Sequence, residues 1–231
     1  MKAVILSGGK GTRFLPITET VPKALVPAGR KTLLEIAIDQ LPSSIDTVII
    51  TTKYLGEKIV GKLGNEYGGK KLIYAAQPID KDGTWSALYA AKEHICDGGQ
   101  FCALGCDDFF KTEEIERAIE AKKNGMGITA ATMPAKYHGI VVDDQSMVKG
   151  LQRHPNKNRE ELLEDKFANG FFIVDSKIFD FEPVQLIDGE YGLPQTLLAH
   201  TDYPLHAFLF NYWQPCNTFE DLEKLKQDFM L

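Results

Sequence analysis

The sequence has few of the residues that build disulfide or zinc scaffolds. It contains 4 cysteines and 5 histidines among 231 residues, and no two cysteines form a C-x-x-C pair. Cys96, Cys102 and Cys106 share one short, largely apolar segment, where a free thiol behaves as a small hydrophobic side chain. A chain of this length buries enough surface to fold without cross-links. These counts exclude a disulfide-stapled scaffold and a zinc finger.

The sequence also lacks long apolar runs and an excess of positive charge. The apolar run at residues 3–6 is too short for a secretory signal peptide, and no segment approaches the roughly 20 residues of a membrane span. With 26 Lys and Arg against 32 Asp and Glu, the net charge is −6, which argues against a protein that coats nucleic acid. We therefore expect a cytoplasmic protein without nucleic-acid or membrane partners. The sequence leaves the oligomeric state open, including a homo-oligomer.

Strand-like and helix-like patterns alternate along the first half of the chain. Strands are predicted at residues 2–6, 46–52, 71–76 and 101–104, and helices at 32–41, 55–67, 85–95 and 112–124. This alternation is typical of βαβ units and of a mostly parallel sheet in an α/β fold. After residue 125, strands are predicted at 128–133, 139–142, 148–152, 167–174 and 205–210, and a helix at 218–230. No linker-like segment divides the sequence, so we expect a single domain over residues 1–231.

A glycine-rich loop, SGGKGTR at residues 7–13, follows the first predicted strand directly. Ligands of α/β sheets bind at the carboxyl ends of parallel strands, and glycines there allow backbone N–H groups to approach phosphate oxygens. The loop matches neither the G-x-G-x-x-G pattern nor the P-loop. A tight strand-to-helix turn would need fewer glycines and no arginine. The pattern therefore favours phosphate binding, with Arg13 as a bidentate donor.

A second segment, VPKALVP at residues 21–27, carries one lysine between two prolines. The prolines stiffen the segment, so Lys23 is a candidate phosphate clamp. Residues 6–16, LSGGKGTRFLP, and residues 22–27, PKALVP, together resemble the signature of sugar-1-phosphate nucleotidyltransferases. That signature reads L-[AS]-G-G-x-G-[ST]-R-[LF]-x-P, followed by P-K-x-[LM]-x-P.

The resemblance covers the whole chain and weakens after residue 145. It implies a GT-A-like, Rossmann-like mixed sheet, mostly parallel and flanked by helices. It also implies the reaction of an NTP with a sugar 1-phosphate to give an NDP-sugar and pyrophosphate. Residues 1–125 would form the NTP-binding half and residues 126–231 the acceptor-binding half.

The resemblance implies catalytic roles for three residues. Arg13 would hold the phosphates that leave as pyrophosphate, Lys23 would bind near the α-phosphate, and Asp107 would bind Mg²⁺, the implied cofactor. Cys106 replaces the usual glycine before that aspartate, and Asp108 would be a solvated neighbour or an N-cap partner. The implied nucleotide-binding residues are Leu6, Ser7, Gly8, Gly9, Gly11, Thr12, Gln77, Gly83 and Thr84.

In the family that the chain resembles, the glutamine matched by Gln77 reads the base edge. An amide presents one donor and one acceptor face, which matches uracil or thymine and, when turned over, cytosine. This ranks UTP first, dTTP or CTP next, and GTP behind. Alternatively, Gln77 is a strand-end residue that bonds its own backbone.

The resemblance also implies a set of acceptor contacts. They are Gly139, His154, Asn169, Gly170 and Glu190. His154 stands where the family has a phosphate-binding lysine, and could instead belong to a surface loop. Glu190 would bind a sugar hydroxyl or cap the following helix.

The largest departure from the family pattern is WQPCNT at residues 213–218. Many members have W-x-D-x-G-T, in which the aspartate is a second metal ligand, and Pro215 stands in its place. A proline cannot coordinate a metal, so either Asn217 supplies a neutral oxygen ligand, or water fills the position, or metal binding is weak.

Two other functions remain open from the sequence. One is cytidylyl transfer to a phosphocholine-like acceptor, which would need an aromatic cage. The candidate rings are Tyr137, Phe171, Phe172, Tyr212 and Trp213, although core packing explains most of them. The other is a degenerate nucleotide-binding regulatory protein. The length leaves no room for the C-terminal β-helix of longer pyrophosphorylases, so we do not expect acyltransferase activity.

Overall fold

The computed structural model describes residues 1–78, 82–95, 98–134, 137, 139–152 and 161–229. Over these residues the chain forms fourteen strands and six α-helices. The strands are β1 Lys2–Leu6, β2 Pro27–Ala28, β3 Lys31–Thr32, β4 Thr47–Thr52, β5 Glu66–Tyr67, β6 Lys70–Ala76, β7 Phe101–Gly105, β8 Asp108–Phe109, β9 Gly125–Pro134, β10 Gly139–Val142, β11 Val148–Gln152, β12 Leu162–Val174, β13 His206–Leu209 and β14 Gln214–Pro215. The helices are α1 Leu33–Asp39, α2 Gly56–Leu63, α3 Thr84–Tyr89, α4 Thr112–Glu120, α5 Leu193–Ala199 and α6 Phe219–Asp228.

Eight strands form the central sheet, in the order β13-β9-β12-β7-β1-β4-β6-β5. Strand β1 lies between β4 and β7 and is parallel to both; β4 and β6 are parallel, as are β9 and β13. Strand β12 is antiparallel to β7 and β9, and β5 to β6. The predicted mixed, mostly parallel sheet is therefore confirmed.

Alternate side chains of the central strand enter two separate apolar clusters. In β1, Ala3 and Ile5 belong to one cluster and Val4 to the other. Successive residues of a strand point to opposite faces of the sheet, so both faces of β1 are buried. This burial explains the uninterrupted apolar run at residues 3–6.

Two helices begin with complete capping boxes. In α1 the Thr32 side chain accepts from the Glu35 backbone N–H while the Glu35 carboxylate accepts from Thr32. In α6 Thr218 and Asp221 make the same reciprocal pair. In the second box aspartate takes the place of the usual glutamate.

Several predicted helices end earlier than the sequence pattern indicates. Helix α2 ends at Leu63 because Gly64 follows with φ +65°, and the next residues form β5 instead. The pattern at 85–95 gives only α3 and then a 3₁₀ turn at Lys92–His94. Helix α4 ends at Glu120, two residues before Lys122 takes a positive φ. Short α5 has no predicted counterpart with defined bounds.

The second half of the chain adds β9, β12 and β13 to one side of the sheet. The strands predicted at 139–142 and 148–152 form a hairpin, in which β10 pairs antiparallel with β11 and Asp143 accepts from the backbone of Gln145 and Met147 in the turn. Within the described part of the chain, no helix combines the length and apolar character needed to cross a bilayer.

Candidate active site

A cavity of about 1150 Å³ opens at the carboxyl ends of β1, β4, β6 and β7. Parallel strands of an α/β sheet present their ligand-binding loops at this edge. The cavity continues over β12 towards the hairpin of β10 and β11. The predicted residues that line it are Leu6, Gly8, Gly9, Gly11, Thr12, Arg13, Lys23, Gln77, Gly83, Thr84, Asp107, Asn169, Gly170, Glu190 and Asn217.

The glycine loop packs directly against the segment that carries Lys23. Gly11 has φ +66°, and a Cβ on it would lie 2.7 Å from the Cβ of Lys23. The Thr18 hydroxyl donates to the carbonyl of Gly11 at 2.8 Å. Glycine is therefore required at residue 11 both by backbone conformation and by close approach. Gly9 faces open space.

Two cationic side chains and two side-chain oxygen acceptors meet in the cavity. The ammonium of Lys23 forms an ion pair with the Asp107 carboxylate and donates to Asn217 Oδ1 at 3.1 Å. Arg13 Nη2 donates to the same Asn217 oxygen at 2.9 Å. The structure thus brings together all three predicted catalytic residues and Asn217.

The environment of Lys23 keeps its ammonium charged. The residue is only 8% exposed, and burial lowers its pKa, but the adjacent Asp107 carboxylate raises it. The charges of neighbouring groups outweigh the cost of burial, so the pKa of Lys23 lies above its ordinary value. A charged ammonium in a low-dielectric pocket is suited to bind phosphate oxygens.

Asp108 is neither a solvated side chain nor an N-cap. Its Oδ1 accepts from the indole N–H of Trp213 at 2.8 Å. Burial and the neighbouring Asp107 raise the pKa of Asp108 to about 7, while the bond from Trp213 and the charge of Lys23 act in the opposite direction. Gly170, with φ +84°, makes room for this carboxylate, because a Cβ there would collide with Asp108.

The segment that carries Asn217 is held from several sides. Buried Glu114 accepts from the backbone N–H of Asn211 at 2.7 Å and of Tyr212 at 3.2 Å. The N–H of Cys216 donates to the Asp107 carbonyl at 2.8 Å. The N–H of Asn217 donates to Asp221 at 2.9 Å. These bonds fix the amide of Asn217 beside the two cations.

Gln77 lies beside the glycine loop, directly after β6. It is 6% exposed, and a Cβ on Gly8 would lie 2.6 Å from its Oε1. Gly83 has φ +103°, and a Cβ there would collide with the backbone of Tyr191. The Thr84 hydroxyl accepts from the Leu193 N–H at 2.9 Å. The sequence interpretation missed Lys53, which also lines the cavity here.

The predicted acceptor contacts are only partly brought together. Gly139 is outside the cavity lining, and a Cβ there would collide with the Asp165 side chain. The Asn169 amide is fully buried, donating to Thr129 Oγ1 at 3.0 Å and accepting from the Phe171 N–H at 3.2 Å. These bonds hold the side chain within the sheet, beside the irregularity in β12.

Of the remaining acceptor candidates, Glu190 is described by the structure and His154 is not. Glu190 lies at the cavity, where burial and then nearby Asp188 and Asp82 raise its pKa. It does not cap α5, whose N-cap is Gly192 without a side-chain bond. His154 lies outside the described residues.

The five candidate cage rings do not assemble into one cage. Tyr137, Phe172 and Trp213 line the cavity. Phe171 is fully buried in the apolar cluster opposite that of Phe172, and the Tyr212 hydroxyl donates to Asp228. Successive residues of β12 point to opposite faces of the sheet, so Phe171 packs in the core, and the five rings do not surround one site.

The side-chain oxygens of Asp107 and Asn217 are suitable ligands for a hard metal ion. The Asp107 carboxylate and the Asn217 amide oxygen already hold a cation between them, the Lys23 ammonium. Carboxylate and carbonyl oxygens are the ligands that Mg²⁺ prefers. Among the described residues, no three His, Cys, Asp or Glu side chains form a metal-binding group, so the fit depends on this mixed pair.

The family model described as nucleotidyl transferase matches residues 2–225. The bifunctional protein GlmU of Methanococcus aeolicus is 31% identical over 180 residues, covering 78% of this chain and 41% of that protein. The bifunctional IPC transferase and DIPP synthase of Aquifex aeolicus is 28% identical over 227 residues, covering 97% and 51%. The chain thus spans about half, or less, of these relatives' length.

A solved structure of UDP-glucose pyrophosphorylase complexed with UDP-glucose superposes with a TM-score of 0.82 at 18% identity. The match covers 99% of this chain and 98% of that one. At this identity the likeness establishes the fold.

Proposed function

We propose that this chain, which belongs to the nucleotidyl transferase family, joins an NTP to a sugar 1-phosphate and releases pyrophosphate. The observation that carries the proposal is the convergence of Arg13, Lys23, Asp107 and Asn217 at one end of a cavity large enough for two substrates. Residues 1–125 would bind the NTP and residues 126–231 the acceptor.

The reaction needs charge compensation more than covalent participation by the protein. An oxygen of the acceptor phosphate attacks the α-phosphorus of the NTP, and the bond from that phosphorus to the bridging oxygen of the β-phosphate breaks. Pyrophosphate takes the electron pair of that bond. Because the acceptor phosphate is already anionic, no side chain has to remove a proton from it. Positioning and electrostatic stabilisation dominate such phosphoryl chemistry.

Arg13 and Lys23 would provide that stabilisation from two sides. Arg13 is exposed in the loop after β1 and presents a planar guanidinium, which can bind two phosphate oxygens at once. The Lys23 ammonium is buried and charged, so its field acts at short range on the α-phosphate. Both cations donate to Asn217 Oδ1, which would keep them oriented before the substrate binds.

Asp107 and Asn217 would hold Mg²⁺ in this site. A bound Mg²⁺ neutralises charge on the phosphate oxygens as a Lewis acid. Pro215 offers no ligand in the position of the family's second aspartate, so the amide oxygen of Asn217 would be a neutral ligand there. Asp108 is engaged by Trp213 and would act on the metal site through its neighbour Asp107.

Gln77 supports a pyrimidine nucleotide, with UTP first. Its amide lies against Gly8 of the glycine loop and lines the same cavity, so it would meet the base if the glycine loop holds the phosphates. The solved neighbour complexed with UDP-glucose has the same fold. An amide can turn over, so Gln77 by itself also permits dTTP and CTP.

Pyrophosphate release is the direct test of this function. The purified protein would be incubated with each NTP, a panel of sugar 1-phosphates and Mg²⁺, and pyrophosphate measured by a coupled enzyme assay. We expect release to require both substrates. Tight NTP binding without turnover for any acceptor would contradict the proposal and favour a regulatory nucleotide-binding protein.

A further inference from the structure

A lysine and a carboxylate form an ion pair in the cavity, on the side of the glycine loop where Gln77 lies. Lys53 Nζ is 2.8 Å from Asp82 Oδ1, and the Lys53 side chain is 15% exposed against 68% for Asp82. Both residues line the cavity. Lys53 follows β4 and lies outside the motifs that identify the phosphate-binding segments.

Lys53 and Gln77 lie on the same side of the glycine loop. A Cβ on Gly8 would be 2.6 Å from Gln77 Oε1 and 3.2 Å from the Cβ of Lys53. The three residues follow β1, β4 and β6, which are neighbouring parallel strands. Their side chains therefore share one edge of the sheet, and Lys53 reaches from there to Asp82.

The backbone of Asp82 is fixed at this position. Its carbonyl accepts from the Tyr191 N–H at 2.9 Å and from the Ser86 hydroxyl at 3.2 Å. The next residue is Gly83, whose close approach to Tyr191 excludes any side chain. The Asp82 carboxylate therefore has a defined place at the rim of the cavity.

The ion pair has a fixed hydrogen-bonding polarity that an amide lacks. An ammonium only donates hydrogen bonds, and an ionised carboxylate only accepts them. Uracil, thymine and guanine each present a carbonyl oxygen beside a ring N–H, which complements this pair. Cytosine and adenine present an amino group beside an unprotonated ring nitrogen, so in the orientation that pairs the uracil carbonyl oxygen with Lys53 both of their groups would meet the wrong partner.

We infer that Lys53 and Asp82 select nucleotides whose base has a carbonyl oxygen beside a ring N–H, and reject cytosine and adenine. The inference rests on the proposed function, since it assumes that a nucleotide binds in this cavity. It narrows the choice among UTP, dTTP and CTP that Gln77 leaves open. The Gln77 amide can turn over, whereas Lys53 can only donate hydrogen bonds and the Asp82 carboxylate can only accept them. Lys53 and Asp82 are thus specificity residues, and CTP is not a substrate.

Nucleotide affinity can test the inference separately from turnover. Calorimetry would give Kd values for UTP, dTTP, GTP, CTP and ATP with the wild-type protein. We expect UTP to bind at least about tenfold more tightly than CTP or ATP, because the largely buried Lys53 ammonium would meet an amino group instead of a carbonyl oxygen. In Lys53→Met, UTP affinity falls about tenfold and CTP affinity changes little, so the preference collapses.

Three further variants make the result specific. Lys53→Arg keeps a donor and retains the preference. Asp82→Asn, at a mostly exposed side chain, adds a donor and brings CTP affinity closer to that of UTP. Lys31→Met is the matched control, since Lys31 forms an exposed ion pair with Asp39 at 2.6 Å outside the cavity lining, and it leaves all five affinities unchanged.

Two outcomes would overturn the inference while leaving the proposed function intact. One is equal weakening of all five nucleotides in Lys53→Met, which would place Lys53 on the phosphates. The other is wild-type affinity for CTP or ATP equal to that for UTP. Failure of every nucleotide to bind would instead contradict the proposed function, and this inference with it.

Discussion

Arg13 Nη2 donates a hydrogen bond to Asn217 Oδ1 at 2.9 Å, across 204 positions of the sequence. Arg13 belongs to the glycine loop after β1, whereas Asn217 directly precedes the N-cap of α6. The same amide oxygen also accepts from Lys23. One uncharged side chain therefore orients both cations at the site where the family pattern differs most from this sequence.

Replacing Arg13 with alanine should lower kcat/KM for pyrophosphate release at least about a hundredfold. The loss corresponds to about 2.7–4 kcal/mol of transition-state stabilisation, by analogy with the removal of one oxyanion-hole donor. Because Arg13 is exposed, the melting temperature should change little. Arg30→Ala, at an exposed residue between β2 and β3, is the matched control and should retain full activity. An active Arg13→Ala protein would refute the assignment.

Asp107→Asn should abolish the Mg²⁺-dependent part of the heat released when an NTP is titrated into the protein. The proposed metal site depends on oxygen ligands from Asp107 and Asn217, and the substitution removes the only negative charge of that pair. The measurement is calorimetry with and without Mg²⁺. Asp39→Asn removes a carboxylate from an exposed ion pair with Lys31 and should leave that heat unchanged. Persistence of the Mg²⁺-dependent heat in Asp107→Asn would place the metal elsewhere.

The two threonine capping boxes offer a matched test of how α6 supports the site. Thr32→Ala and Thr218→Ala should each lower the free energy of unfolding by about 1 kcal/mol, measured by denaturant titration. Only Thr218→Ala should also reduce turnover, because Asp221 of that box accepts from the Asn217 N–H as well. Equal turnover in the two variants would show that the box does not position Asn217.

Alanine substitutions at Gly170 and Gly189 can distinguish the effect of backbone strain from that of a side-chain clash in the site. Both have positive φ, +84° and +88°, so alanine at either should cost about 1–3 kcal/mol of stability. Only Gly170→Ala should also displace Asp108, since a Cβ at Gly189 meets no atom within 4 Å. We expect pyrophosphate release to fall in Gly170→Ala and to persist in Gly189→Ala. Similar activity in both would mean that the position of Asp108 is unimportant.

The residues that sequence reasoning could place are those in contiguous motifs. The glycine loop, Lys23 between its prolines, and Asp107 after a buried strand all carry a local pattern, and the structure brings their side chains to one cavity. The longer strands were also predictable, because both faces of the sheet are covered and the central strands are uninterrupted apolar runs. The two-residue strands β2, β3, β5, β8 and β14 carry no such pattern and were not predicted.

Residues that act through distant contacts had no such pattern. Glu114 lies on a charged helix, yet it is buried because it accepts from the backbone N–H groups of Asn211 and Tyr212. Lys53 resembles any lysine after a strand until the fold brings Asp82 beside it. Helix ends were equally hard to predict. Gly64 ends α2 because it takes a positive φ, whereas other glycines lie inside helices or strands, and the sequence alone does not distinguish the two cases.

The position of β1 between β4 and β7 has a consequence for synthesis on the ribosome. Strand β1 cannot complete its pairing until residues 101–105 follow, because β7 is one of its two neighbours. The hydrogen bond from Arg13 to Asn217 forms still later, once residue 217 has been added. Long-range pairings of this kind delay folding and leave strand edges exposed. During translation, one edge of β1 therefore stays open to chaperones until β7 has been made.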